Sequence, residues 1–471
     1  MNTVSVKSKT DYSWSYKVCF VLFCALMTGF LWRLRGDHGW GGMAGMVAVA
    51  TGLILSVITF IPYNRKANFE ILLAAVFMTA ITNSGWGTLN SQITGILVSS
   101  TDAPSVSVSP FSGIAAMFLL GFGWAPFLAM FIGYYFSDKK PRFFHFLVVV
   151  ALYYAVEYAA KASLSHFAVK LICPDGVRAF SDALGKAGIE GTPFTVYLAH
   201  FNNISWAKKI AFGRNYFQLA ETASQFFAAL VMIIYTAFAM KDRLAAKIQA
   251  SVCISMGAAI TLADLFIFFA DGGVHNTLQG IPAWLSGWSN WEYWTGFFVG
   301  LFIASIIVKV ITNHDFSGNN SPESILPRKT VFCFIRNYIM LCFPVISAIA
   351  LPLAKRLTYE HDVLFHSITF SDDKILCIPF AAAAGLLLIY PTYKITQREL
   401  STGNGILYCY AWKWLIGSFI LFAVVYFFTG NAYVLNGSIT DVSVTTYISA
   451  IGIIALFIAL RKQKNYSEAL E

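Results

Sequence analysis

The sequence predicts an all-α fold: a polytopic integral membrane protein of about twelve transmembrane helices, with both termini in the cytoplasm. Three observations lead there. Of 471 residues, 57% are hydrophobic and only 12% charged, with a mean hydropathy of +0.63. Soluble domains carry about 25% charged residues, so this composition cannot build a water-facing surface. Apolar runs long enough to cross a hydrocarbon core of about 30 Å recur along the whole chain. Lysine and arginine collect in alternate loops. The whole of 1–471 reads as one transmembrane domain.

The first run, near 16–34, follows Lys7, Lys9 and Lys17 and so mimics a signal peptide. No small-x-small cleavage site follows it, and Trp32-Arg33-Leu34-Arg35 continues directly, so it reads as an uncleaved first helix. Before the second run, 43–63, stands the densest polar stretch in the chain, Leu31 to Gly42. It holds Arg33, Arg35, Asp37, His38, Trp32, Trp40 and four glycines. Arginine and aspartate are costly at a membrane boundary unless paired or used. A polar turn with tryptophan anchors accounts for Trp32 and one arginine, not for the density. A binding or catalytic role is expected.

The third run, 69–86, ends in Asn83-Ser84-Gly85-Trp86-Gly87-Thr88-Leu89-Asn90, and 92–98 continues apolar. That is too long for one ordinary span. A break at Gly85/Gly87 with a re-entrant piece, or a tilted helix with an interfacial tail, would each accommodate it. Runs at 111–136 and 143–161 follow. Segment 162–216 is the one sizeable extramembrane region, an extracytoplasmic loop suited to act as a lid. Within it Pro174-Asp175-Gly176 signals a turn, and 177–187 has a helical rhythm. The remaining runs lie near 217–240, 245–270, 292–312, 331–354, 375–393, 408–429 and 446–460. Arg336, Pro344 and Pro352 within 331–354 leave an eleven-helix count open.

Drawn this way, Arg65/Lys66, Lys139/Lys140/Arg142, Lys241/Arg243, Arg328/Lys329, Lys394/Arg398 and Arg461/Lys462/Lys464 fall on the side of the N-terminus. Loops 99–110, 271–291 and 430–445 hold no lysine or arginine. This is the positive-inside pattern, expected of a multi-pass protein of a bacterial inner membrane; the opening motif, Lys355/Arg356 and the long 162–216 segment are its exceptions. The formal charge of +9 therefore reports topology, and no nucleic-acid partner is expected.

Charges within the spans are few. Glu157 and Lys161 stand i,i+4 in the favourable order for a pair. Glu221 falls in the first turn of the 217–240 helix as the run is drawn, where the helix dipole suits a carboxylate. Asp264 lies about two turns below an outer end with no local cation, and an arginine of the opening motif is its expected partner. A second dense outer stretch, Asp271-Gly272-Gly273-Val274-His275-Asn276 through Trp294, occupies the same position as the opening motif in a six-plus-six division.

The eight cysteines show no CxxC or Cys/His spacing for zinc, so neither metal nor cofactor is expected. No GxxxxGK[ST], HExxH or GxSxG is present. The span count with both termini inside is the layout of major facilitator carriers. Their basic, Gly- and Asp-containing loop after the second helix is absent, since here it reads Ile61-Pro62-Tyr63-Asn64-Arg65-Lys66.

The expectation is a secondary transporter of a small polar, anionic or sugar-like solute, bound in an outward-facing pocket. His38, Arg35 and Asp264 would do the chemistry. Arg33, Asp37, Trp40, Asn83, Trp86, Asn90, Glu221, Asp271, His275 and Asn276 would contact the solute. The alternatives are an integral-membrane transferase or hydrolase acting on a glycan or lipid-linked substrate at the extracytoplasmic face, and a membrane scaffold subunit. The lipid bilayer is the partner common to all three.

Overall fold

The structure is a computed structural model that describes residues 12–37, 41–61, 63, 89–137, 139, 143–201, 203–270, 288–314, 330–346, 372–402, 412–413, 415–417, 419–420 and 442–468. In chain order the helices are α1 (Trp14–Asp37), α2 (Gly41–Phe60), α3 (Pro110–Trp124), α4 (Pro126–Tyr135), α5 (Phe143–Ala162), α6 (Ser165–Ile172), α7 (Pro174–Lys186) and α8 (Pro193–Ala199). There follow α9 (Ile204–Ala207), α10 (Gly213–Phe238), α11 (Arg243–Ala270), α12 (Trp288–Asn313), α13 (Thr330–Val345), α14 (Asp372–Thr402) and α15 (Val442–Glu468). A 3-10 turn spans Asn90–Thr94, and β1 (Ile96–Leu97) pairs antiparallel with β2 (Val106–Ser107).

The fold is all-α and membrane-embedded in character. Among the described residues, five helices are long and apolar enough to cross a membrane: 14–33, 144–162, 213–238, 243–265 and 291–313. A sixth candidate is the pair α3 and α4, one run in the sequence but bent by 51°. Pro126 explains the break, because it has no N–H to continue the helical ladder. The expected run at 69–86 and most of 408–429 lie outside the described residues.

The chain forms two compact units. The first comprises 1–81, 130–143 and 292–471. Here α1 packs against α2 and α15. The Tyr16 hydroxyl donates to the Phe60 carbonyl at 2.7 Å, and Tyr135 donates to the Ile61 carbonyl at 2.8 Å, tying down the exposed carbonyls at the α2 C-terminus. Thr28 donates to the carbonyl of Gly296 at 2.7 Å. A Cβ at Gly296 would come within 2.3 Å of the Thr28 carbonyl, so only glycine allows α1 and α12 to approach this closely.

The second unit comprises 82–129 and 144–291. Its centre is α3, flanked by α10 and α11. Gly121 of α3 lies against Met256, and Gly257 of α11 against Phe118, so the two helices run antiparallel at very short range. Gly113 does the same against Ile93 of the 3-10 turn. Segment 162–216 is helical: α6 to α9 pack as a cap on one end of this unit. The helical rhythm of 177–187 is realised as α7, started by Pro174. Thr192 starts α8 with a capping box, and the Asn203 side chain caps α9. Ser112, near the start of α3, hydrogen-bonds Cys173 at the α6–α7 joint, and the start of α10 lies against Ala207 and Phe180. The helices α3 and α10 therefore begin at the cap, while α5 and α11 end there.

Candidate functional site

Beneath the cap, the second unit gathers ionisable groups that its apolar helices do not need for packing. Lys161, in the last turn of α5, is held by Glu157 one turn earlier, with Nζ to Oε1 at 3.0 Å. The same Nζ stands 3.7 Å from Oε1 of Glu221 on α10. One turn along α10, Gln225 donates from Nε2 to Glu157 Oε1 at 3.4 Å. Glu157 and Lys161 are only 9% and 8% exposed. One lysine thus bridges carboxylates from two different span helices.

The local sequence makes this meeting possible. Gly123 of α3 carries no side chain where a Cβ would stand 2.9 Å from that of Gln225, so α10 can close on α3 at this level. Phe122 packs against Phe226 just beside it, the ring centroids 4.7 Å apart and the planes tilted by 57°. Tyr153, one turn before Glu157, packs edge-on against Phe127 and Tyr154, and Glu157 and Glu221 both act electrostatically on its hydroxyl. Among the described residues, the Tyr153 hydroxyl and Gln225 Oε1 are buried without a hydrogen-bond partner. Such groups are costly inside a span unless something completes them.

The cap supplies the roof. Tyr197 of α8 is hydrogen-bonded to Ser165, whose hydroxyl donates to the Lys161 carbonyl at 2.8 Å. Burial, and then the Glu221 carboxylate across the same space, raises the pKa of the Tyr197 hydroxyl. His166 of α6 hydrogen-bonds the Tyr216 hydroxyl through Nδ1 at 2.6 Å. Burial, then the nearby Lys170 ammonium, lowers the His166 pKa from its ordinary 6.5.

Of the expected site residues, Asn90, Glu221 and Asp264 lie in the second unit. Asn90 opens the 3-10 turn, is buried, and accepts the backbone N–H of Ser91 with its own Oδ1 at 2.8 Å. Asp264 is fully buried on α11. Two turns beyond Gly257, it comes level with Gly113 and the 3-10 turn, which packs against both α3 and α11. Glu221 belongs to the third turn of α10, not the first, because the helix begins at Gly213. Dipole stabilisation fades within one turn, so Lys161, not the helix end, meets its charge. Arg33 is fully buried on α1 in the first unit, where it acts on the Tyr293 hydroxyl that also accepts from Ser449 at 3.0 Å. The side chains of Arg35 and Asp37 lie outside the described residues, as do His38, Trp40, Asn83, Trp86, Asp271, His275 and Asn276.

A second buried ionic group in the first unit was not legible in the sequence. Arg336 of α13 pairs with Glu399 of α14, and Asn337 donates from Nδ2 to Thr396 Oγ1 at 3.0 Å and to Glu399 Oε2 at 3.2 Å. With the exception of Glu399 Oε1, this reads as a clamp that fastens α13 to α14. Arg336 and Glu399 are 63 residues apart, and no spacing rule links them. The Glu157–Lys161 pair, by contrast, is local and visible as an i,i+4 spacing; its third member comes from another helix. No family model, curated protein or solved structure matches the chain.

Proposed function

We propose that the protein is a secondary transporter of a small polar solute, and that the Glu157–Lys161–Glu221–Gln225 cluster is where solute meets the polar groups of the membrane interior. One observation carries this reading: a lysine held between two carboxylates from different span helices, beside a buried tyrosine hydroxyl and an amide oxygen without partners. Packing alone rewards apolar residues at such positions, whereas carriers place ionisable groups there to bind solute and coupling ion. The finer reading is a twelve-span protein of a bacterial inner membrane, both termini cytoplasmic, with the cap and the Leu31–Gly42 motif facing outward.

The test is uptake by reconstituted vesicles from a panel of labelled amines, sugars and carboxylates under an imposed pH gradient. One solute class should accumulate, and Glu221→Gln should slow its initial uptake by on the order of ten-fold, the loss of one charge-assisted hydrogen bond. The cap over one end of the second unit favours a second reading, an enzyme acting on a glycan or lipid-linked substrate at that face. Turnover of such a substrate in detergent, without accumulation in vesicles, would establish the enzyme and sink the transporter.

A further inference from the structure

We infer that the Glu157–Lys161–Glu221 cluster binds the ammonium group of an amine solute in exchange for one proton held on Glu221. The exchange itself is a binding event; that it drives transport rests on the function proposed above. Two carboxylates and one ammonium sum to −1, and an uncompensated charge among apolar helices is strongly disfavoured. A further positive charge, a proton or a cation, must therefore be present whenever the cluster is closed.

Geometry says where it sits. Glu157 already receives Lys161 at 3.0 Å and Gln225 Nε2 at 3.4 Å. Glu221 receives Lys161 only at 3.7 Å, and 35% of its side chain stays accessible. Glu221 is the less satisfied and more open carboxylate, so the extra proton belongs there. The chemistry of the free positions then selects the ligand. Gln225 Oε1 is a pure acceptor, and the Tyr153 hydroxyl offers lone pairs as well as its proton. An ammonium brings three N–H donors and one positive charge, which answers both the acceptor excess and the charge deficit. An anion would meet net negative charge, and a sugar would leave the deficit uncorrected.

The surrounding groups do not cancel this deficit. From α5 the cluster is faced by Tyr153, Tyr154, Glu157 and Lys161, from α8 by Tyr197, and from α11 by Cys253, which acts on Tyr153. His166 of α6 is engaged by Tyr216, and Asp264 stands nearer the cap on α11. Arg214 lies on the Glu221 face of α10 two turns nearer the cap, about 10 Å along the axis, too far to fill the position in contact. The step balances. Protonated Glu221 and a free alkylammonium give a carboxylate–ammonium pair and one released proton; no other bond forms or breaks.

The experiment uses the purified full chain in lightly buffered detergent with a pH-indicator dye. Adding methylammonium chloride should release one proton per ligand bound, the ratio being checked by calorimetry in two buffers of different ionisation enthalpy. Glu221→Gln should release none and bind methylammonium on the order of ten- to a hundred-fold more weakly. Glu221→Asp keeps a carboxylate and should restore release, which separates loss of the group from misfolding. Binding without proton release, or undiminished release from Glu221→Gln, overturns the inference. So does sodium chloride or a neutral hexose matching methylammonium. Proton release in detergent with no gradient-driven uptake in vesicles would instead sink the transporter reading alone. Gradient-driven uptake without proton release on ligand binding would sink the exchange alone.

Discussion

Glu221 and His166 show how much of a residue's chemistry depends on neighbours that the chain brings from a distance. The apolar run near 217–240 suggests a helix start that would place Glu221 at a positive dipole end. The helix starts at Gly213, and Lys161 of α5 takes that role. His166 carries a testable consequence. Its folded-state pKa lies below the ordinary 6.5 because burial, and then Lys170, oppose its charging. The unfolded chain therefore binds more protons than the folded one in the window between the folded value and 6.5. Stability from this group is complete above 6.5 and falls as the pH drops through that window. The ring carbon resonances of His166, followed by NMR in detergent, should titrate with a midpoint below 6.5, and His166→Gln should flatten the acid-side loss of stability. A midpoint at or above 6.5 would contradict the burial argument.

At the scale of elements, glycine decides which helices touch. A Cβ at Gly257 would stand 2.7 Å from the Phe118 carbonyl oxygen, and one at Gly121 2.6 Å from that of Met256. These contacts are with backbone, which cannot swing aside as a flexible side chain can. Gly257→Val should therefore destabilise the protein by about 1–3 kcal/mol, as overpacking does, despite the helix propensity gained by losing a glycine. Gly185 on the cap has open space around it, so Gly185→Ala serves as the control and should be neutral or slightly stabilising. Thermal unfolding in detergent would compare them; equal midpoints would refute the close-packing account. Hydropathy marks α3 and α11 in the sequence but not their contact, because a glycine in a span also serves simply as a small residue.

For the whole molecule, charge gives an expectation for the side on which each loop lies. Loops 99–110 and 271–291 lack lysine and arginine, while Arg328/Lys329 and Arg461/Lys462/Lys464 would mark the opposite side. A single cysteine placed at Arg178, on the exposed face of α7, in a background cleared of native cysteines, should react with an impermeant thiol reagent in intact cells. One placed at Arg328 should react only after permeabilisation. Labelling at 328 from outside would overturn the twelve-span arrangement. Composition and periodicity by themselves determine that the chain is helical and apolar enough for a membrane, and that Glu157 and Lys161 pair, since those properties depend on residues within a few turns of each other. Tertiary structure alone decides that the 111–136 run bends by 51°, that α6 to α9 pack against the starts of α3 and α10, and that Arg336 meets Glu399. It also decides that Glu221 and Gln225 complete the Glu157–Lys161 pair. Each of these depends on which surfaces are buried together, and a buried charge can take its partner from any helix that packs beside it.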